Sequence, residues 1–194
     1  MKNNFFKKIT LILNFMIFFS NDLHAKSDQN IQTAVIAGGC FWGIEELFRN
    51  LDGILETQVG YAGGTTENPS YESVSTGLTG HAESVKITFD ENKISYEKIL
   101  KFFFTIHDPT QLNRQQNDIG TQYRSEIFYT NSNQKNIAEL VIQKAEKLKI
   151  HKAKIQTKIS PLKKFYKAEN YHQNYLQKNP NGYTCHYVRN EWQF

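Results

Sequence analysis

Cys40 and Cys185 are the only two thiols in 194 residues, and their settings differ. Cys40 stands in Gly38-Gly39-Cys40-Phe41-Trp42-Gly43, directly after the apolar run Ala34-Val35-Ile36-Ala37. Glycines on both sides leave the backbone free to turn sharply, and an amphipathic segment begins at Ile44. A thiol at a strand-to-helix turn lies near the positive end of the helix dipole, which favours the thiolate. Phe41 and Trp42 place two rings beside it, the setting of a nucleophile with an apolar pocket. Cys185 lies in the tail, in Gly182-Tyr183-Thr184-Cys185-His186. A cysteine on a tail can reach an oxidised partner and form a disulfide. A permanent staple and a transient catalytic bridge are both open to such a pair. The rings and helix start around Cys40 favour the transient bridge, because a staple requires neither.

Glu83 shares strand parity with Val85, Ile87 and Phe89, so its carboxyl points toward the core-facing side. A carboxyl in apolar surroundings has a raised pKa and can act as a general acid; a frayed, solvated strand start is the alternative. His81 has the same parity, but a lone histidine is more often structural than functional. Tyr71, in Asn68-Pro69-Ser70-Tyr71, and Tyr123, in Gly120-Thr121-Gln122-Tyr123, each end an irregular stretch. Their hydroxyls can donate to an oxygen on which negative charge develops. A metal site built from Cys40, His81, Glu83, Cys185 and His186 is disfavoured, since no pair has zinc-motif spacing.

These groups need elements to hold them. Apolar runs and alternation predict strands at 33–37, 54–61, 83–89, 122–130 and 152–159. Helical spacing predicts helices at 42–50, from Ser95 to about Ile106, after Asn131 or Ser132, and around 168–177. The third carries the stripe Ile137, Leu140, Val141, Ala145 and Leu148. The stretches 62–80 and 107–120 read as irregular, and loops of that length are usually functional or disordered. The order βαββαβ, then αβ and an irregular tail, predicts an α+β fold: a ferredoxin-like two-layer sandwich in one domain.

Lys2, Lys7 and Lys8, the apolar run 9–19 and the end Leu23-His24-Ala25 form a secretory-signal pattern. The expected organisation is a signal peptide at 1–25, a loose linker at 26–32 and one domain at 33–194. The run is short for a transmembrane helix. The expected location is therefore exported and periplasmic, with an uncleaved membrane tether as the alternative. The net charge of +4, falling to about +2 without residues 1–25, is too small to argue for nucleic acid or an anionic membrane surface. An exported binding domain with a structural disulfide, using Phe41 and Trp42 to hold methionine-rich partners, is the non-enzymatic alternative.

The motif Gly39-Cys40-Phe41-Trp42-Gly43 resembles the active-site signature of A-type peptide methionine sulfoxide reductases. Further segments agree in order: Val59-Gly60-Tyr61-Ala62-Gly63-Gly64, Asn68-Pro69-Ser70-Tyr71, Thr79-Gly80-His81-Ala82-Glu83, His107-Asp108-Pro109-Thr110, Asn117 to Ser125, and Tyr171 to Leu176. The resemblance covers about residues 33–187. It implies reduction of the S epimer of methionine sulfoxide, free or in proteins. In that scheme Cys40 attacks the sulfur and Glu83 protonates the oxygen, with Tyr71 and Tyr123 bonding it. Phe41 and Trp42 hold the methyl group, and Asp118 and His172 line the site. The sulfenic acid left on Cys40 is resolved by Cys185. The resulting disulfide is reduced by an external, thioredoxin-like dithiol, with no bound cofactor or metal. Two departures stand out: Thr184 separates Gly182-Tyr183 from Cys185, and the tail ends soon after without a further cysteine. Direct reduction of the Cys185 disulfide by the partner is therefore expected.

Overall fold

The computed structural model describes residues 30–194; the signal-peptide reading of 1–25 and most of the linker lie outside them. The strands β1 (Ile31–Gly38), β2 (Ile54–Ala62) and β3 (Ala82–Asp90) form the centre of a six-stranded sheet. It is completed by β6 (Ser125–Tyr129), β7 (Lys158–Pro161) and β8 (Phe165–Lys167), in the order β7-β6-β1-β3-β2-β8. All neighbours are antiparallel except β6 and β7. The inner order β6-β1-β3-β2 is that of the expected ferredoxin-like α+β sandwich. Two-residue strands β4 (Arg114–Gln115) and β5 (Asp118–Ile119) pair separately.

The helices α1 (Phe41–Arg49), α3 (Tyr96–Ile106) and α4 (Ser132–Lys147) supply the second layer. Their residues Phe41, Ile44, Phe48, Ile99, Leu100, Phe103 and Val141 share one core with Ala34, Ile36, Val85, Ile87 and Phe89 of the sheet. Alternate residues of the same strands, Val35, Ala37 and Ala82, make a smaller cluster with Phe128 and Ala62 on the opposite face, as the period-2 pleat requires. Side-chain caps start two of the helices: Ser95 Oγ accepts the Lys98 N–H, and Asn131 Oδ1 accepts the Gln134 N–H.

Some predicted elements move. Strand β7 begins at Lys158, and residues 152–157 are irregular; Gln156 N–H is taken by the Pro109 carbonyl instead of a ladder partner. The helix expected around 168–177 is only α5 (Tyr175–Lys178), because Asn174 adopts a left-handed φ of 55°. The stretch 62–80 contains a short helix, α2 (Tyr71–Ser75), with a Ser70–Ser73 capping box. On α4, Leu140 and Leu148 face solvent, and Ala138 and Gln134 take buried positions instead. Gln134 is drawn inward by Thr130 N–H at 3.0 Å and the Thr33 carbonyl at 2.7 Å, which satisfies its amide.

Candidate active site

The sheet topology brings the candidate residues to one end. β1 ends at Gly38, opposite Ser125 at the start of β6, and Ala62 at the end of β2 pairs with Ala82 at the start of β3. Cys40 follows β1, Glu83 opens β3, Tyr123 precedes β6, and Tyr71 lies beyond β2. Residues spread over more than 80 positions thus meet where antiparallel strands, about 4.8 Å apart, share an end.

Cys40 occupies the cap position of α1. Gly39 before it has φ 108°, and a Cβ there would lie 2.6 Å from Cβ of Gln115, so the turn requires glycine. Cys40 is buried, with 6% of its surface exposed. The helix-dipole expectation of a thiolate is corrected here. Burial, reinforced by the Glu83 charge, pushes the Cys40 thiol well above its usual range, and the opposing pull of the Trp42 N–H does not offset it. Desolvation outweighs the dipole of a nine-residue helix.

Glu83 lies on the core side of β3, as its parity predicts, and is 3% exposed. Its Oε2 accepts the Phe41 backbone N–H at 3.1 Å, which fixes the carboxyl one residue from the thiol. Burial, aided by the Asp118 charge and opposed by that hydrogen bond, raises its pKa to about 8, so the carboxyl is protonated near neutrality. The Tyr71 and Tyr123 phenols are both pushed up, first by burial and then by the charge of Glu83. They are neutral donors on the same site.

An aromatic wall stands beside these groups. Trp42 stacks on Tyr175 at 3.8 Å between centroids, and its Nε1–H donates to His172 Nδ1 at 3.1 Å. His172 packs against Phe41 at 5.1 Å and Tyr71 at 4.4 Å. The residues that follow it anchor its backbone. Gln173 bridges the Val59 N–H and carbonyl, and Asn174 N–H donates to the buried Glu45 carboxylate at 2.9 Å. Glu169 ties Tyr71 to the sheet by accepting the Tyr71 N–H and the Tyr61 hydroxyl, each at 2.8 Å.

The tail closes the other side. Cys40 and Cys185 are both free thiols. Asp118 turns to the tail: its carboxylate accepts the Tyr183 hydroxyl at 3.1 Å and the Cys185 thiol at 3.3 Å. Burial, then the Asp118 charge, pushes Cys185 up to about 12. Thr184 Oγ1 accepts the His186 N–H at 3.1 Å, a local turn that folds Cys185 back toward α1. Gly43 makes room for this approach, since a Cβ there would lie 2.7 Å from His186 Nδ1.

His81 does not join the site. Its ring accepts the Gly64 N–H at 3.1 Å and bonds the Thr66 carbonyl at 2.8 Å, the structural role. Tyr175, Glu169 and Tyr183 escaped sequence reasoning, because ten tyrosines and an irregular tail carry no periodicity to single them out. Among the described residues no cluster of three or more His, Cys, Asp or Glu could hold a metal ion, and no helix is long and apolar enough to cross a membrane.

The family described as peptide methionine sulfoxide reductase matches residues 32–193. The chain is 54% identical over 155 residues to peptide methionine sulfoxide reductase MsrA of Nautilia profundicola, covering 80% of this chain and 88% of that protein. It is 50% identical over 165 residues to a probable peptide methionine sulfoxide reductase of Schizosaccharomyces pombe, covering 82% and 97%. Among solved structures it is similar to reduced Mxr1 from Saccharomyces cerevisiae, with a TM-score of 0.76, 40% identity and coverage of 82% and 92%. Mxr1 has also been solved in complex with Trx2; that chain matches at 27% identity and a TM-score of 0.54, covering 82% of this chain and 90% of that one.

Proposed function

The chain belongs to the A-type peptide methionine sulfoxide reductases, and from that premise we propose how its own residues reduce the S epimer of methionine sulfoxide, free or in proteins. The observation that carries this reading is the bond from Phe41 N–H to Glu83. It holds a protonated carboxyl beside a buried thiol and an aromatic wall.

The sulfoxide methyl is apolar and packs against Phe41 and Trp42, with His172 behind them. The oxygen faces Glu83, Tyr71 and Tyr123. A sulfoxide oxygen leaves poorly until protonated, so Glu83 donates its proton while the two phenols stabilise the developing charge. The Cys40 sulfur bonds to the sulfoxide sulfur, and the Cys40 proton restores Glu83. The protonated oxygen then passes from the substrate sulfur to the Cys40 sulfur as the bond between the two sulfurs breaks, so methionine departs reduced and Cys40 is left oxidised as a sulfenic acid. Cys185, held nearby by Asp118, then attacks Cys40 and releases water. The Cys40–Cys185 disulfide is reset by an external thioredoxin-like dithiol, a role supported by the Trx2 complex of the Mxr1 relative. Tyr183, Tyr187 and Val188 around Cys185 are exposed for such a partner.

A chiral sulfur presents its methyl to the wall and its oxygen to Glu83 in only one epimer. Reduced protein mixed with pure S or R methionine sulfoxide is expected to give stoichiometric methionine from S alone. Equal methionine from both epimers would overturn the assignment of Phe41, Trp42 and Glu83 to these faces. We also place the mature chain in an exported compartment, on the basic, apolar and small-residue pattern of 1–25. N-terminal sequencing of the mature protein should begin at Lys26, and an intact Met1 would count against cleavage.

A further inference from the structure

We propose that His186 is the proton carrier of the resolving step, taking the thiol proton of Cys185 and delivering it to the sulfenic oxygen on Cys40. This rests on the reading of Cys40 and Cys185 given above and adds a catalytic residue to it.

The ring is fixed by hydrogen bonding. His186 Nε2 lies 2.8 Å from the Gly38 carbonyl. A carbonyl only accepts, so Nε2 carries the hydrogen. The ring is 5% exposed. Burial, with the neighbouring Arg189 charge, pushes its pKa down to about 4, so it is neutral and Nδ1 keeps a free lone pair. That Nδ1 lies 3.4 Å from Cys185 Sγ. Tautomer and position therefore aim the one basic atom of the ring at the attacking sulfur.

The need for such a group comes from Cys185 itself, whose thiol is half-buried beside the Asp118 carboxylate and keeps its proton near neutrality. In the step, the Cys185 S–H bond breaks toward Nδ1 as the Cys185 sulfur forms its bond to Cys40 sulfur. The Cys40 S–O bond breaks, and the Nδ1 proton goes to the departing oxygen, which leaves as water. The sulfenic sulfur is reduced and the Cys185 sulfur oxidised, so no further oxidant or reductant enters. An imidazolium disfavoured by burial and Arg189 is a strong acid, suited to handing the proton on. Asp118 faces the same thiol at 3.3 Å and is the competing acceptor, while His107 is the other titratable ring whose charge is coupled to His186.

The test is single-turnover kinetics on the full mature chain. Reduced protein receives one equivalent of methionine-S-sulfoxide, and quenched samples are analysed by mass spectrometry for Cys40 sulfenic acid, trapped with dimedone, and for the Cys40–Cys185 disulfide. His186→Gln keeps an N–H for the Gly38 carbonyl but has no basic atom. Its disulfide formation is expected to slow by about 100-fold while the sulfenic acid accumulates. His186→Ala leaves space for a free ring, and added imidazole is expected to restore disulfide formation in proportion to its unprotonated fraction. A purely anchoring role predicts no such dependence. Disulfide formation in His186→Gln within threefold of wild type would overturn the proposal. So would slowing in Asp118→Asn alone. Absence of any sulfenic acid or disulfide in wild type would instead overturn the underlying reading of the two cysteines.

Discussion

Glu83→Gln is expected to slow methionine release in a single turnover by about 10²–10⁴-fold, the range for losing a positioned general acid. The substitution preserves shape, and its amide oxygen still accepts the Phe41 N–H, so the turn that carries Cys40 is kept. What is lost is the proton. The pH profile separates this from a structural effect. With its pKa raised to about 8 by burial, Glu83 holds its proton at neutral pH and loses it above. The wild-type burst rate should therefore fall as pH rises through about 8, and the Gln variant should lack that fall. A variant within threefold of wild type, or one with the same alkaline limb, would remove Glu83 as the acid.

The same shift has a consequence for stability. The folded pKa of Glu83 lies above its ordinary value of 4.5, so the folded state holds a proton that the unfolded chain releases. This contribution is fully present below about pH 4.5 and is lost as pH rises through about 8. Each unit of such a shift is worth about 1.4 kcal/mol. Denaturation midpoints of wild type should fall across that window more steeply than those of Glu83→Gln.

Cys185→Ser is expected to cut steady-state turnover with a thioredoxin-like dithiol by at least about 100-fold. A serine cannot displace oxygen from a sulfenic sulfur or carry the disulfide that the reductant attacks. Reduced variant should still release one methionine per Cys40, because the first step of the proposed scheme uses Cys40, Glu83 and the two phenols. Multiple-turnover and single-turnover assays on one preparation check this. Full turnover with the same reductant would show that Cys40 sulfenic acid is reduced directly. No methionine at all would show that Cys185 belongs to the first step.

Much of this site was legible from local pattern. Alternation along 83–89 places Glu83 inward, and β3 does so because its outer face pairs Ala82 with the small second cluster. The strand–glycine–cysteine–helix order singles out Cys40 as the candidate nucleophile, and the run of elements yields the sheet order. The protonation state of Cys40 was not legible: the dipole argument is local, whereas the burial that reverses it comes from the sheet end, Glu83 and the tail. The tail was least legible. Its course is set by single contacts such as His186 to Gly38 and Tyr183 to Asp118, which join positions far apart in the chain. Asn174, by adopting a left-handed conformation, cuts short a helix that composition alone would extend.

One measurement tests the mechanism most directly: mass mapping of the protein after a single turnover with methionine-S-sulfoxide and no reductant. In wild type the expected product is one methionine and a Cys40–Cys185 disulfide. In Cys185→Ser it is one methionine and a sulfenic acid on Cys40. Methionine formed with both thiols still free in wild type, or oxygen recovered on any residue other than Cys40 in the variant, would contradict it.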